Sequence, residues 1–244
     1  MTIDRLNQLP YYFYFLVVDE FLDISQPALT NFTSISPQKL GISLTEKNSG
    51  RLLSHPRCQQ YITEHTPSGL TPAIIPFKPS PKVELICRQR RWLNISNPAQ
   101  INRLLEDKIK FLHVALDCHL PLLPYRVCNL SIDNYRQCQK EFGKDLVVQT
   151  HFGWAGNSSH LSHCWEDISS QIEPNVLVKI TPYLQGVSLI NNCCLTPLGL
   201  LQSPPGLQYT GIPQFTHNPL ATVGRQWPAH VKPEIAQQVS HLTS

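Results

Sequence analysis

Charge is scarce in this sequence. Asp, Glu, Lys and Arg make up 15% of 244 residues, and the net charge is only +3. A nucleic-acid-binding surface would show a clustered basic face, and none is present. The one dense basic group, Arg88, Arg90 and Arg91, reads as a solvated strand end or helix face. No long apolar run exists near the N-terminus: Tyr11 to Val18 is too short to span a bilayer. No basic segment precedes it in signal-peptide form, so a cytoplasmic protein without membrane contact is expected. The 8 cysteines include no C-x-x-C pair and their spacings are scattered. They are expected to be reduced and mostly to serve as small core residues. Gly is modest at 11 residues while Pro reaches 21, which implies many stiff loops. There is no internal repeat.

What is present is enough apolar material, 41% of residues, for one large domain or two small ones. YYFYFLVV (11–18) reads as a buried strand. Residues 22 to 50, rich in Ser, Thr, Pro and Asn, read as irregular. Leu52 to Thr63 reads as a short helix, and Ala73 to Phe77 and Val83 to Cys87 as strands. Asn97-Pro98 opens a helical pattern carried by Ile101, Leu104, Leu105, Ile109 and Leu112, which runs to about Asp117 in two segments. Tyr125 to Cys128 reads as a strand. Ser131 caps a helix that stops at Gly143. Asn175 to Tyr183 and the run from Val187 to Leu195 read as strands. Thr196 to Gly199 reads as a turn into an antiparallel return, residues 203 to 230 as loop, and Pro233 to Leu242 as a helix. The order from Tyr125 onward is that of an α+β domain, a small antiparallel sheet backed by helices.

Within it, Asp145 to Asp167 joins an apolar strand to a loop carrying Gly153, Gly156, Asn157, Ser158 and Ser159, followed by a segment able to be helical. Glycines let a backbone approach phosphate closely, and N–H groups at such a turn attract anions. A tight strand-to-helix turn without any ligand fits the same residues. His151, His160, His163 and Cys164 invite a zinc reading, in which His160 and His163 share a helix face, but no second ligand pair lies at a suitable spacing. Cys164 with His160 also lacks an orienting group for nucleophilic catalysis. Adjacent Cys193 and Cys194 read as packing residues on a strand.

The chain resembles the ATP-grasp superfamily over roughly residues 100 to 230. Glu106-Asp107-Lys108 with Phe111 is similar to the "D-K-x-x-F" element closing the pre-ATP-grasp domain. Pro121 to Pro124 resembles the "glp-x-P" element that opens the small subdomain. Phe142-Gly143 through Val148 resembles "fG-x-p-x-V-v-K", and His151 to Ser159 falls where the family's flexible loop lies. Tyr183 to Ser188 resembles "y-i-x-G-x-e-x-s", and Gly224 with Trp227 a "G-n-x-w" element. The resemblance implies a pre-ATP-grasp α/β domain at 1–107, a small ATP-grasp subdomain at 108–184 and the start of the large subdomain at 185–244. It implies ATP as ligand, Mg²⁺ as its metal and a small carboxylate as substrate, phosphorylated to an acyl phosphate that an amine or thiol attacks. Lys108 would reach phosphate oxygens, and the loop with Gly153, Gly156, Asn157, Ser158 and Ser159 would fold over them. Tyr183 and Leu184 would lie beside adenine.

Three departures stand out. Gln149 occupies the place of the family's second phosphate lysine, and it carries no charge. Lys179 lies on the next strand, and its spacing does not mark it as a replacement. Thr181-Pro182 replaces the charged residues before the adenine linker, and Pro182 has no N–H. Finally, no "E-x-N" metal strand follows Trp227, where Glu234 is the only acid. A truncated or split member is therefore expected, with no assignable catalytic or metal residue and with exposed sheet edges. A complementing chain or a homo-oligomer would supply the missing strands. The alternative is a non-catalytic nucleotide-binding or interaction module.

Overall fold

The computed structural model describes residues 3–18, 29–153, 156, 158–196 and 199–243. The chain divides into two compact units, Met1–Leu104 and Leu105–Ser244.

The first unit runs α1 (Ile3–Asn7), β1 (Tyr11–Leu16), β2 (Phe32–Ile35), α2 (Ser49–Ser54), α3 (Pro56–His65), β3 (Thr71–Pro76), α4 (Pro81–Arg90) and β4 (Leu93–Asn94). Its strands form a parallel sheet in the order β2-β1-β3-β4. Parallel strands joined through helices are covered on their faces, so they read as apolar runs. Tyr14, Leu16, Ile35 and Ile74 are fully buried against Leu52 and Leu53 of α2, Ile62 of α3 and Val83 of α4. Each such side chain contributes ~1.5–3 kcal/mol over its exposed state. Tyr14 places its hydroxyl 2.9 Å from Thr66 Oγ1, so even this polar tip is satisfied.

Three local expectations change here. Val83 to Cys87 is helical, not a strand. Ser80 Oγ accepts from Val83 N–H at 3.3 Å and Pro81 sits in the first turn, so Val83, Ile86 and Cys87 bury at helical spacing. Phe32–Ile35 lies in the stretch expected to be irregular, yet it pairs residue for residue with Phe13–Leu16. Pairing with a buried neighbour outweighs local composition there. Leu52 to Thr63 is two helices, because His55 ends α2 and its ring then accepts from Arg57 N–H to cap α3.

Helix α5 (Ala99–Glu106) spans the division in sequence. The second unit continues with α6 (Lys110–Asp117), β5 (Arg126–Asn129), α7 (Ile132–Phe142), β6 (Leu146–Gln149), β7 (Ser159–Ser162), α8 (Trp165–Ser169) and β8 (Leu177–Pro182). The strands form an antiparallel sheet in the order β5-β8-β6-β7. Helix α7 matches its sequence signals. Ser131 Oγ accepts from Asn134 N–H, and Gly143, at φ 97°, ends it. Leu146, Val148, Val178 and Ile180 pack on Tyr135 and Cys138 of α7 and Ile168 of α8. The expected antiparallel sheet backed by helices is therefore present.

Beyond it lie β9 (Ser188–Ile190), β10 (Cys193–Thr196), β11 (Gly199–Gln202), β12 (Gly206–Thr210), β13 (Thr222–Gln226) and α9 (Pro233–Leu242). β13, β12 and β9 form an antiparallel sheet in that order, and β10 pairs with β11 as a hairpin. The run from Val187 to Leu195 thus divides between two sheets, and residues 203–230, expected to be loop, contain two strands. The segment after the glycine loop begins as strand β7, not helix. Its pairing with β6 decides this, and only Trp165–Ser169 is helical. Cysteine placement also differs from expectation. Cys58, Cys87 and Cys138 are buried, but Cys118, Cys164, Cys193 and Cys194 are exposed. Cys193 and Cys194 sit on the two-stranded hairpin, where neither contributes to a core. No helix among the described residues is long and apolar enough to cross a membrane.

Candidate functional site

Alternation along β6 and β8 separates two faces. Leu146, Val148, Val178 and Ile180 point into the core beneath α7 and α8. Val147, Gln149, Lys179 and Thr181 take the other face. Antiparallel register sets Val147 opposite Thr181 and Gln149 opposite Lys179. Lys179 is also the partner of Val127 on β5, and Gln149 of Ser159 on β7. One row, Val127, Lys179, Gln149, Ser159, therefore crosses the sheet.

This face floors a cleft of about 430 Å³. Val147, Gln149, Lys179 and Thr181 rise from the sheet, Leu112 comes from α6, and Pro121 to Leu123 with Tyr125 form a proline-stiffened side. Pro182, Tyr183 and Leu184 supply the linker edge, and Leu220 closes the list of walls. The cleft gathers three residues singled out from sequence: Gln149, Tyr183 and Leu184. It adds Lys179, which sequence spacing did not mark. One signal was available, since Lys179 is the lone charge in strand β8, LVKITP.

Lys179 is half-buried, and its side chain makes no hydrogen bond or ion pair among the described residues. Burial, and after it repulsion from Lys108, holds its ammonium below the ordinary lysine value. Gln149 turns away from Lys179, its Nε2 donating to Ser159 Oγ at 2.7 Å.

Lys108 is positioned by its neighbour. Asp107, 2% exposed at its side chain, accepts from the N–H groups of Ile109 and Lys110, both at 3.1 Å, at the start of α6. The same oxygen lies 2.9 Å from His151 Nδ1. Burial pushes the Asp107 carboxyl up, but the bonds from Lys110, His151 and Ile109 outweigh it and hold it below the usual carboxylate range. Lys108 N–H donates to the His151 carbonyl at 2.9 Å, and Lys108 Nζ to the Gly153 carbonyl at 3.1 Å. The "D-K" pair and the root of the glycine loop are thus one hydrogen-bonded unit.

The loop itself connects antiparallel strands β6 and β7, with Thr150 N–H donating to the Ser158 carbonyl at 3.1 Å. Gly156 has φ +89°, and its carbonyl accepts from Ser159 N–H at 2.9 Å and from Asn218 Nδ2 at 3.0 Å. Ser158 and Ser159 are buried, at 4% and 7% exposure. Gly153, Gly156, Ser158 and Ser159 do not line the cleft, and Asn157 lies outside the described residues.

At the linker, Pro182 has no N–H and Tyr183 N–H is committed to the Asp145 carbonyl at 2.9 Å. Leu184 is the first linker amide with no hydrogen bond among the described residues.

The donor set does not fit Mg²⁺. Among the described residues no carboxylate lines the cleft, and no group of three or more His, Cys, Asp or Glu is placed to hold a metal. The histidines that invite a zinc reading have other partners. His160 lies in β7 with Nδ1 2.7 Å from Gln171 Oε1, while His163 Nδ1 is 2.8 Å from Asp145 Oδ1. They share no helix face, and Cys164 is the N-cap of α8.

No family model and no curated protein matches the chain in sequence. Solved structures do match in fold. Carboxyaminoimidazole ribonucleotide synthase from Aspergillus clavatus, crystallised with ATP, superposes with a TM-score of 0.58 at 11% identity, over 96% of this chain and 62% of its own. N5-carboxyaminoimidazole synthetase from Staphylococcus aureus, crystallised with ADP, gives 0.59 at 12% identity, over 94% and 62%. D-alanyl-alanine synthetase A from Vibrio cholerae gives 0.62 at 10% identity, over 96% and 79%. The chain spans less than two thirds of the length of the first and second of these. They are ATP-grasp enzymes, and at such identities the likeness speaks for the fold. The chain has the ATP-grasp fold, an α/β unit followed by a partial ATP-grasp unit of antiparallel sheets and helices.

Proposed function

We propose that this protein binds ATP in the cleft of its second unit and belongs functionally with ATP-dependent carboxylate–amine or carboxylate–thiol ligases. The carrying observation is that one cleft collects Gln149, Lys179, Tyr183 and Leu184, a cationic floor beside a linker edge. Adenine would lie against Tyr183 and Leu184, with the Leu184 amide available to it. The phosphates would extend toward Lys108 and the glycine loop, whose root is tied to Lys108 through the carbonyls of His151 and Gly153. In the ligase reaction a carboxylate oxygen of the substrate attacks the γ-phosphorus and ADP leaves. The amine or thiol then attacks the acyl carbon and inorganic phosphate departs. The protein's part in the first step is to hold the phosphates in line and balance their charge. Release of Ser158 and Ser159 from their buried positions would accompany closure of the loop over ATP.

A second reading is favoured by the lack of carboxylates at the cleft. A nucleotide-binding module without turnover needs only the groups present here. Under the ligase reading, the metal carboxylates would come from outside this cleft.

Calorimetric titration with ATP, with and without Mg²⁺, tests the shared part of both readings, and a micromolar-range isotherm is expected. ADP release with mixed amino and carboxylic acids separates them. Binding without release favours the module, release favours the ligase, and absence of binding refutes both.

A further inference from the structure

The geometry points to a cation transposed across the sheet: Lys179 on β8, not residue 149 on β6, is the side chain that meets the phosphate chain of a nucleoside triphosphate from the floor of the cleft. The inference rests on the nucleotide reading above and gives that site its principal charge.

Register carries the argument. Gln149 and Lys179 are direct cross-strand partners, on the same face and in the same cleft. Directly opposed side chains on adjacent antiparallel strands have Cβ atoms about 4.5–5.5 Å apart. A lysine, with its four-carbon stem, carries its ammonium across that interval, so either position can deliver a positive charge to the same volume. In this chain only position 179 does.

The surroundings agree. A half-buried lysine is ordinarily compensated by an acid, because an uncompensated charge in a partly desolvated place is costly. Lys179 has no acidic partner among the described residues; its row neighbours are apolar Val127 and neutral Gln149. The charge that acts on it is another cation, Lys108. A half-buried ammonium that faces an open cleft without an acidic partner is one that an anion entering the cleft completes. Gln149 contributes differently. Its amide is held by Ser159, which ties the floor of the cleft to the strand leaving the glycine loop.

The test is calorimetric titration of ATP and of adenosine into the full chain and three variants: Lys179→Gln, the double exchange Gln149→Lys with Lys179→Gln, and Lys140→Gln as a control. Lys140 is exposed on α7 and lies outside the cleft. Lys179→Gln is expected to weaken ATP about tenfold or more, the scale of one charged hydrogen bond, and to leave adenosine unchanged. The double exchange should recover ATP affinity to within about threefold of the parent. Lys140→Gln should change neither. Equal ATP affinity in Lys179→Gln and the parent overturns the transposition while leaving nucleotide binding intact. So does a double exchange no tighter than Lys179→Gln alone. A parent chain that binds neither ATP nor adenosine overturns the nucleotide reading and this inference together. Loss of adenosine binding in Lys179→Gln overturns the assignment to the phosphates.

Discussion

Asp107 and His151 are joined at 2.9 Å, 44 positions apart in sequence, one at the start of α6 and the other where β6 gives way to the glycine loop. The carboxylate serves three donors at once, two of them backbone N–H groups of the helix. Asp107→Ala removes a helix cap and leaves those donors buried. It is expected to cost about 1–3 kcal/mol in urea denaturation. Because the folded carboxyl lies below its unfolded value, its contribution is complete above the ordinary carboxylate range. That contribution disappears as pH falls through the lowered folded value. The difference in stability between parent and variant should therefore shrink in acid; a difference that stays constant down to pH 2 would remove the ionised Asp107 from the explanation.

Gly153 and Ser158 touch so closely that a methyl group on Gly153 would collide with the Ser158 side chain. Gly153→Ala should lower the melting temperature by several degrees, as about 1–2 kcal/mol of overpacking requires. Adding Ser158→Gly should recover part of that loss. Strict additivity of the two changes would show that the clash is not the cause.

Gln149→Lys adds a second cation beside Lys179 in a cleft expected to hold a polyanion. Tighter ATP binding is expected, with a steeper dependence on ionic strength. Unchanged or weaker binding by a folded variant would place residue 149 away from the phosphates.

Leu184→Pro removes one N–H and leaves an exposed side-chain position, so folding should change little. ATP and adenosine affinities should fall by a similar factor, about fivefold for one lost neutral hydrogen bond. A loss confined to ATP would contradict adenine placement at the linker.

Native thiol labelling should proceed rapidly at Cys118, Cys164, Cys193 and Cys194. Cys58 and Cys87 should react only after unfolding, since burial pushes their thiols up to about 12 and about 11. Peptide mapping after a short iodoacetamide pulse reads this directly.

Local signals in the sequence were informative where capping and pairing agreed. Helix α7, from its serine cap to its glycine stop, is legible residue by residue, as are the strands at Tyr11 and Leu146. Legibility failed where partners distant in sequence decide. Phe32–Ile35 is a strand because β1 lies beside it, and residues 206–210 and 222–226 are strands because they pair with each other. Lys179 belongs to the same class. Counting along the chain relates it to its own strand only, whereas its place beside Gln149 depends on how two strands 30 positions apart come into register. The glycine loop was found by composition, but the burial of its serines depends on contacts that composition does not encode.

The alternation on β6 and β8 has a consequence for genetics. Residues 146, 148, 178 and 180 support the core, while 147, 149, 179 and 181 face the cleft. Saturation mutagenesis of these eight positions, scored separately for abundance and for ligand capture, should produce complementary stripes. Even-numbered sites would lose abundance, and odd-numbered sites would lose capture from a population of normal abundance. Evolution can therefore rework the binding surface one position at a time without passing through unfolded intermediates.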